Sequence, residues 1–579
     1  MAKSKEPFFQ TLKDTLSLSG RMGRRGFVIS CLMSVFNSFL EIFTLATAIP
    51  LILYYIARPE NPQGKFVEIF EQILNHSLFN NSIINVLLAL ALLLLIKNLV
   101  GTFISYYQIR LSFGVASSLS EQLLKSYYDQ PYLEYTAGNS GEHHNEINNA
   151  PAVFSYNAFL GYINIFSELA VVFILCIGLI IVSPYIFLVT TSFFAVISLA
   201  ALWIKNRYAR KISHNRRSLY TSTSKSLMKA LDVFVRVRLF QKDQFFINAY
   251  AQKLRSLQAE SVKDRVLQNL PMRILELTGF LGVIILMYLF NRTGKSTVEM
   301  TTILGLFATA AYRIIPSFNK LISQSVNIKS NHYALEILKK RLHKPEVSEK
   351  KRPDLPDDIE SISVQNLGIS YDSKTVLQDL SLSIRAGEVV GITGESGAGK
   401  STLFNVLIGL IEPDRGQTLL NDEAFEPYKN PKWFEKIAFV GQNPVILDGS
   451  IASNIAFGVN PENVDESRIE SILKQVGLAR FCGQGQHGIF KEVGENGAQL
   501  SGGEKRRIAL ARALYKEPEV FFFDEITNDL DQVSANLIYE LLQTLSKSGK
   551  VVIWITHDQS GMRFCTRLID LEKKNLSNE

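Results

Sequence analysis

Cysteine is scarce in this sequence: Cys31, Cys176, Cys482 and Cys565 are all there are in 579 residues. They share no spacing of a metal knuckle, a redox pair or a disulfide framework. A stapled secreted scaffold and a cysteine-held metal are thereby excluded. Two of the four lie in apolar runs and two in the polar remainder, so they read as packed or lipid-facing thiols. A signal-peptide cleavage site is also lacking. The first apolar run is too long and has no small-residue motif, so it is expected to stay as an anchor. Also missing is a basic face for nucleic acid, despite a net formal charge of +7. The basic residues flank apolar segments instead. Arg21, Arg24 and Arg25 stand before the first, and Arg207, Arg210, Arg216 and Arg217 follow the fourth. That is the distribution expected at the cytoplasmic ends of membrane helices, and no nucleic-acid partner is expected.

What is present is asymmetric. Hydrophobic residues make up 47% and charged residues 20% of the chain, but the long apolar runs crowd into the amino-terminal part. Six segments approach the ~20 residues that a spanning helix needs. They are Phe27 to Ile56, Ile83 to Tyr107, Ile163 to Val182, Tyr185 to Ile204, Ile274 to Phe290 and Thr301 to Ile322. The gaps after the second and fourth segments are long, polar and helical in spacing. The spanning helices are expected to continue into the cytoplasm there, turning near Asn139–Glu146 and Leu231–Phe240. Both termini are then cytoplasmic. The outer stretch GKFVEIFEQILNH puts Phe66, Ile69, Phe70, Ile73 and Leu74 on one helical face. It fits a helix in the outer interface or one packed on its own protein. Residues 331–358 are charged and carry prolines, and read as a linker. From 359 onward, short β-rich runs alternate with helices. SISVQNLGISY and GEVVGITG read as strands, GKSTLFNVLIGL opens a helix, and EVFFFDE and VVIWITHD fit buried parallel strands.

The sharpest motif lies in that second part. Gly394-Glu395-Ser396-Gly397-Ala398-Gly399-Lys400-Ser401-Thr402 follows a strand and opens a helix. Such a loop wraps phosphates with backbone amides. Lys400 would reach the β- and γ-phosphates of ATP, and Ser401 would hold Mg²⁺. Asp524 ends an apolar strand, where a carboxylate suits Mg²⁺. Glu525 follows at the position of a general base. Gln442 ends another strand and fits the metal and the water. His557 ends a third and fits the γ-phosphate. Tyr371 is placed to stack on adenine. LSGGE, with Ser501, Gly502, Gly503 and Glu504, opens another helix and offers a second phosphate surface. One nucleotide does not need two such loops from one chain, so the second is expected to serve the nucleotide of another copy.

Together these motifs resemble the ATP-binding cassette family. The resemblance covers residues 360–575 at the motifs GESGAGKS, LSGGE and FFFDE and at His557. It implies a head-to-tail dimer with ATP at the interface, to which Asp531 of TNDLD would contribute across copies. Two departures are visible: Glu504 stands where the family usually has glutamine, and ITNDLD replaces ATSALD. Six spans ahead of one ATPase domain resemble the family's exporters, as does EVGENG at Glu492 to Gly497. The fold class implied is an α-helical six-span transmembrane domain, residues 1–330, fused to a cytoplasmic α/β P-loop ATPase domain, residues 359–579. That is an exporter-type half-transporter. It would act as a homodimer, or alternatively a heterodimer, in a bacterial inner membrane.

Charged residues inside spans are costly and point to function. Glu41, Lys97, Glu168, Arg273, Glu276 and Arg313 are the candidates. Lys97 lies about 21 Å of helix rise beyond Ile83, and Arg313 about 18 Å beyond Thr301, so the two fall at similar depth. With Arg273 they suit a phosphate or pyrophosphate group, or else pair with the glutamates as structural ion pairs. The stretches FNSFLEIFTLATAIPL, LPMRILELTGF and AAYRIIPSFNKLI resemble the bacterial flippases of lipid-linked oligosaccharides used in protein N-glycosylation. That resemblance implies basic cavity residues at Lys97, Arg273 and Arg313, with lysine at Lys97 where arginine is typical. It implies a membrane lipid or lipid-linked saccharide as cargo, moved by alternating access. An exporter of drugs, peptides or apolar lipids is the alternative.

Overall fold

The computed structural model describes residues 8–57, 83–138, 140–182, 215–216, 218–293, 297–342, 355–371, 374–483, 488–528 and 530–572. Two compact units result. The first is Met1–Asp129 with Gly138–Pro345, and the second is Gln130–Ala137 with Glu346–Glu579. The expected outer helix at 64–76 and the fourth span at 185–204 lie outside the described residues.

The first unit is helical. Helix α1 (Phe8–Leu18) leads through Gly20, in the left-handed region at φ +68°, into α2 (Gly20–Ala57). Then come α3 (Ile83–Tyr128), α4 (Leu160–Val182), α5 (Asp243–Thr293), α6 (Thr297–Ser330) and α7 (His332–Leu342). Among the described residues three stretches are long and apolar enough to cross a membrane: Gly20–Thr44, Leu87–Tyr128 and Glu142–Ile177. On α3 the row Leu88, Leu92, Leu95, Leu99 and Phe103 is exposed. Its spacing of three and four keeps one face apolar over several turns. Water does not suit such a stripe, and hydrocarbon does. The opposite face packs. Leu111, Leu119 and Leu123 join Phe27, Phe154, Phe159, Tyr162 and Ile328 in one buried cluster.

Two expectations are corrected here. The linker expected over 331–358 starts later, because α7 occupies His332–Leu342 and buries Ala334, Leu335 and Leu338 in that same cluster. Two of its basic residues are paired: Arg341, at the edge of the buried face, pairs with Glu146 at 2.7 Å and lies over the Tyr127 ring, while Lys339 pairs with Asp14. A charged, proline-bearing stretch had hidden a three-turn amphipathic helix. The turn expected near Asn139–Glu146 also moves. Glu146 sits inside the first unit, hydrogen-bonded to Tyr127 and Arg341. The short helix Tyr132–Ala137 groups with the second unit. The second turn, near Leu231–Phe240, does contain a short helix, Phe234–Leu239.

The second unit carries two sheets. Strands β1 (Ser361–Tyr371), β2 (Lys374–Arg385), β4 (Arg415–Leu420) and β5 (Glu423–Phe425) form an antiparallel sheet in the order β2-β1-β4-β5. Strands β3 (Val389–Thr393), β6 (Ile437–Val440), β7 (Val520–Asp524), β8 (Val551–Ile555) and β9 (Arg567–Asp570) form a parallel sheet in the order β6-β7-β8-β3-β9. All five residues of β8 are buried, as expected of a strand covered on both faces. One apolar cluster takes Phe521, Phe523, Val552 and Trp554, and a second takes Val520, Phe522, Val551 and Ile553. Successive side chains of β7 and β8 therefore feed opposite layers. The parallel register pairs Asp524 with Ile555 on β8, and Ile555 with Ile392 on β3. Carboxyl ends of neighbouring strands thus arrive at one edge, where parallel sheets place ligands.

Candidate functional site

The phosphate loop leaves β3 and enters α8 (Lys400–Ile408). Gly394, Gly397 and Gly399 have φ of +141°, +94° and +94°. A Cβ on Gly399 would lie 2.6 Å from Leu377 Cδ2, so both backbone and packing demand glycine there. Lys400 is buried and donates to the carbonyls of Gly394 (2.6 Å) and Glu395 (2.9 Å). Its ammonium is thereby curled over the loop. The Glu395 amide donates to the Glu572 carboxylate, so at least one loop amide faces an anionic oxygen. Ser401 and Thr402 follow in the first turn of α8, at the end of the helix that favours negative charge.

Three strand ends meet around Glu525. Gln442, two residues past β6, donates from Nε2 to Glu525 Oε2 at 2.7 Å. His557 Nε2, just past β8, lies 3.8 Å from Glu525 Oε1. Glu525 itself is in the left-handed region at φ +51°, and its amide donates to the Ile555 carbonyl at 3.0 Å. A non-glycine residue held this way marks local strain over-determined by its surroundings. Gln442 and Glu525 are far apart in sequence and meet only because β6 and β7 are neighbours. Beside them Asp524 has its carboxyl pushed above the ordinary range, chiefly by burial, then by the Glu525 charge, with Lys400 opposing. A partly buried carboxylate in that condition gains from a bound cation. With the Ser401 hydroxyl, the Gln442 carbonyl and phosphate oxygens, the donor set is all oxygen, which suits Mg²⁺.

Asn528 was not among the expected site residues. Its Nδ2 donates to Glu525 Oε2 at 2.7 Å, so that oxygen accepts from two amides. The signal was present as the departure ITNDLD, but nothing in the sequence aims the side chain. The turn made by Glu525 brings residue 528 back. We expect Asn528→Ala to lower ATP turnover about tenfold, from loss of a hydrogen bond to a charged group worth ~1.5 kcal/mol, with KM for ATP unmoved. Asn528→Asp removes the amide donor to Glu525 and sets a carboxylate in its place, so it is expected to lower turnover as well. Steady-state kinetics check both, and an unaltered Asn528→Ala variant would remove the residue from the site.

The signature loop caps a helix. Ser501 is the N-cap of α9 (Gly502–Tyr515) and forms a capping box with Glu504. Glu504 Oε2 accepts from the Ser501 amide at 2.8 Å and from its hydroxyl at 2.9 Å, and Arg480 pairs with the other oxygen. Glutamate and glutamine both close such a box, so the substitution keeps the loop's shape and adds a charge that Arg480 balances. Gly502 and Gly503 begin the helix, and no side chain would meet a Cβ at Gly502. Asp531 is likewise an N-cap, of α10 (Gln532–Lys547), accepting from the Ser534 amide and hydroxyl at 2.9 Å each. These bonds hold its carboxyl below the ordinary range. Tyr371 ends β1, partly buried against the apolar cluster beneath the sheet.

In the first unit the intramembrane charges are paired. Lys97 Nζ is 3.4 Å and Arg313 Nη2 is 2.6 Å from the two oxygens of Glu41. Two cations thus share one carboxylate. Arg313 Nε is buried with no acceptor among the described residues. Arg273 pairs with Glu276 at 3.2 Å across one helical turn, with its side chain 79% exposed. Glu168 does not serve these three residues as a partner; it takes Lys320 at 2.8 Å. Lys97 and Arg313 reach one group and lie at one level, while Arg273 does not join them there.

Comparison with known proteins agrees with this architecture. The family ABC transporter transmembrane region matches residues 27–315, and the family ABC transporter matches residues 377–528. The chain is similar to the ATP-dependent lipid A-core flippase of Burkholderia pseudomallei (strain 1710b), with 28% identity over 374 residues, 63% of this chain and 62% of the relative. It is also similar to that of Francisella novicida, with 26% identity over 377 residues, 64% of this chain and 63% of the relative. The matched stretch thus spans less than two thirds of either flippase. Among solved structures, a bacterial Atm1-family ABC exporter with ATP bound superposes with a TM-score of 0.78 at 21% identity, over 94% of this chain and 93% of that one. The chain belongs to the ATP-binding cassette exporters, with transmembrane region and ATPase domain joined on one polypeptide.

Proposed function

We propose that two copies of this chain hydrolyse ATP to flip a phosphate-bearing, lipid-anchored saccharide across a bacterial inner membrane. The observation that carries the ATPase half is the meeting of Gln442, Glu525, Asn528 and His557 at one sheet edge, beside Asp524 on the Glu525 strand. Lys400 binds the β- and γ-phosphates once it leaves the Gly394 and Glu395 carbonyls. Glu525 takes a proton from the attacking water, held in aim by Gln442 and Asn528. His557 donates toward the γ-phosphate. Ser401, Asp524 and Gln442 would hold Mg²⁺, which would supply charge neutralisation at the phosphates. The Ser501–Gly503 loop and Asp531 close the nucleotide of the second copy.

The cargo reading rests on charge. Lys97, Arg313 and Glu41 together leave one net positive charge in the spanning helices, and Arg313 Nε is buried without an acceptor among the described residues. Such a site attracts a phosphate or pyrophosphate attached to a lipid. Lipid A-core flippase relatives and a polyprenyl-pyrophosphate oligosaccharide share that chemistry. Arg273, exposed on its helix, would meet the headgroup earlier. The decisive experiment is reconstitution into liposomes with either lipid. ATP-dependent movement of the polyprenyl-linked saccharide is expected, with Arg313→Gln slowing it more than it slows ATP hydrolysis. Movement of lipid A-core alone would reassign the saccharide. Movement of neither, with intact ATPase, would end the proposal in favour of drugs or apolar lipids.

A further inference from the structure

A cleft of about 450 Å³ opens in the first unit between α2 and α3, apart from the Glu41 group. Its walls are Arg21, Arg25 and Ile29 on α2 and Tyr107, Arg110 and Leu111 on α3, with Met22 and Gly26. Arg21, Arg25 and Ile29 are four apart, so they form one row; Tyr107, Arg110 and Leu111 are three and four apart and form the facing row. The helices are held close there. A Cβ on Gly26 would lie 2.5 Å from Leu111 Cδ1, so a larger residue there would have to displace the Leu111 side chain. Three arginines thereby line one opening. Among the described residues no carboxylate pairs with any of them. Arg24, the neighbour on the next face, bonds back to the Gly20 carbonyl of its own helix instead.

The position along the helices selects the ligand. Arg110 lies about 40 Å of helix rise from Ile83, beyond the ~30 Å of a hydrocarbon core and near the ~40–45 Å of a bilayer with its headgroups. Arg21 and Arg25 open the first spanning stretch, Gly20–Thr44. The cleft is therefore at headgroup level, on the side that carries the chain's basic flanks. On its membrane side the apolar wall continues. Ile29, Leu32, Phe36 and Phe103 are exposed along the two helices. Arginine forks bind phosphate in pairs, Tyr107 offers a hydroxyl, and the exposed row offers acyl chains a track.

We propose that this cleft binds the headgroup of an anionic phospholipid as a resident lipid, distinct from the transported cargo. The test uses the full chain purified in a neutral detergent and read by native mass spectrometry with phosphatidylglycerol or phosphatidylcholine added. Phosphatidylglycerol is expected to bind more tightly, by about fivefold for each arginine engaged. Arg21→Gln/Arg25→Gln/Arg110→Gln should abolish that preference, and the corresponding lysine triple should keep much of it. Arg110→Gln alone should lose about fivefold, which serves if the triple variant does not purify. Arg24→Gln should retain the full preference. Three results would overturn the inference: a preference that survives the glutamine substitutions, an equal loss in Arg24→Gln, or displacement of the lipid by millimolar glycerol phosphate. The second would mean diffuse attraction and the third a soluble phosphate site.

Discussion

Glu525→Gln is expected to cut ATP turnover by about 10²–10⁴-fold, the range for loss of a general base, while ATP stays bound. The geometry says why binding should survive. Lys400, the loop amides and Ser401 are untouched, and glutamine keeps the shape and most of the packing. What changes is Oε2, which accepts from Gln442 and Asn528 at 2.7 Å each. A glutamine oxygen can still take those two bonds, but its remaining atom is an amide nitrogen that cannot receive a proton. The variant should therefore accumulate as a nucleotide-clamped dimer, visible as retained ATP after gel filtration beside near-zero phosphate release. Unchanged turnover would place the base elsewhere, and the Asn528 reading would fall with it.

Glu41→Gln is expected to destabilise the membrane unit by about 3 kcal/mol, the cost of breaking a largely buried ion pair from one side. Lys97 and Arg313 would then face each other with no shared carboxylate. Their side chains are only 22% and 15% exposed, so water relieves little of the repulsion. Replacing all three residues with methionine removes charge and partner together. Such replacements are close to neutral when volume is kept. The triple variant should thus regain most of the thermal midpoint in detergent and still fail to move a phosphate-bearing lipid. That pair of measurements separates a structural ion pair from a cargo site. If the triple variant transports normally, the three charges serve the helices alone.

The nucleotide motifs were legible because each is local. A strand, a glycine turn and a helix start are all encoded within a dozen residues, and φ of +94° at Gly399 needs no distant partner to be foreseen. The run EVFFFDE likewise reads as a buried strand with a carboxylate at its end, and β7 spans Val520–Asp524. Helix α7 was misread for the opposite reason. Its last turn is basic, with Lys339, Lys340 and Arg341, and only the cluster formed by α3, Phe154 and Phe159 gives Ala334, Leu335 and Leu338 somewhere to go.

Sequence by itself therefore determined the chemistry of this protein: apolar runs of membrane length, a phosphate loop, a signature loop and the two acids that follow them. Their backbone requirements are short-range, and hydrophobic length is additive along the chain. Tertiary structure alone decided which charges meet. Glu41 takes both Lys97 and Arg313, Glu168 takes Lys320, Glu146 takes Arg341, and Arg21, Arg25 and Arg110 line one cleft with no carboxylate partner among the described residues. Ion pairing depends on distances of a few ångströms between separate helices, and a linear pattern gives only the depth of each residue, not the rotation that brings it to its partner.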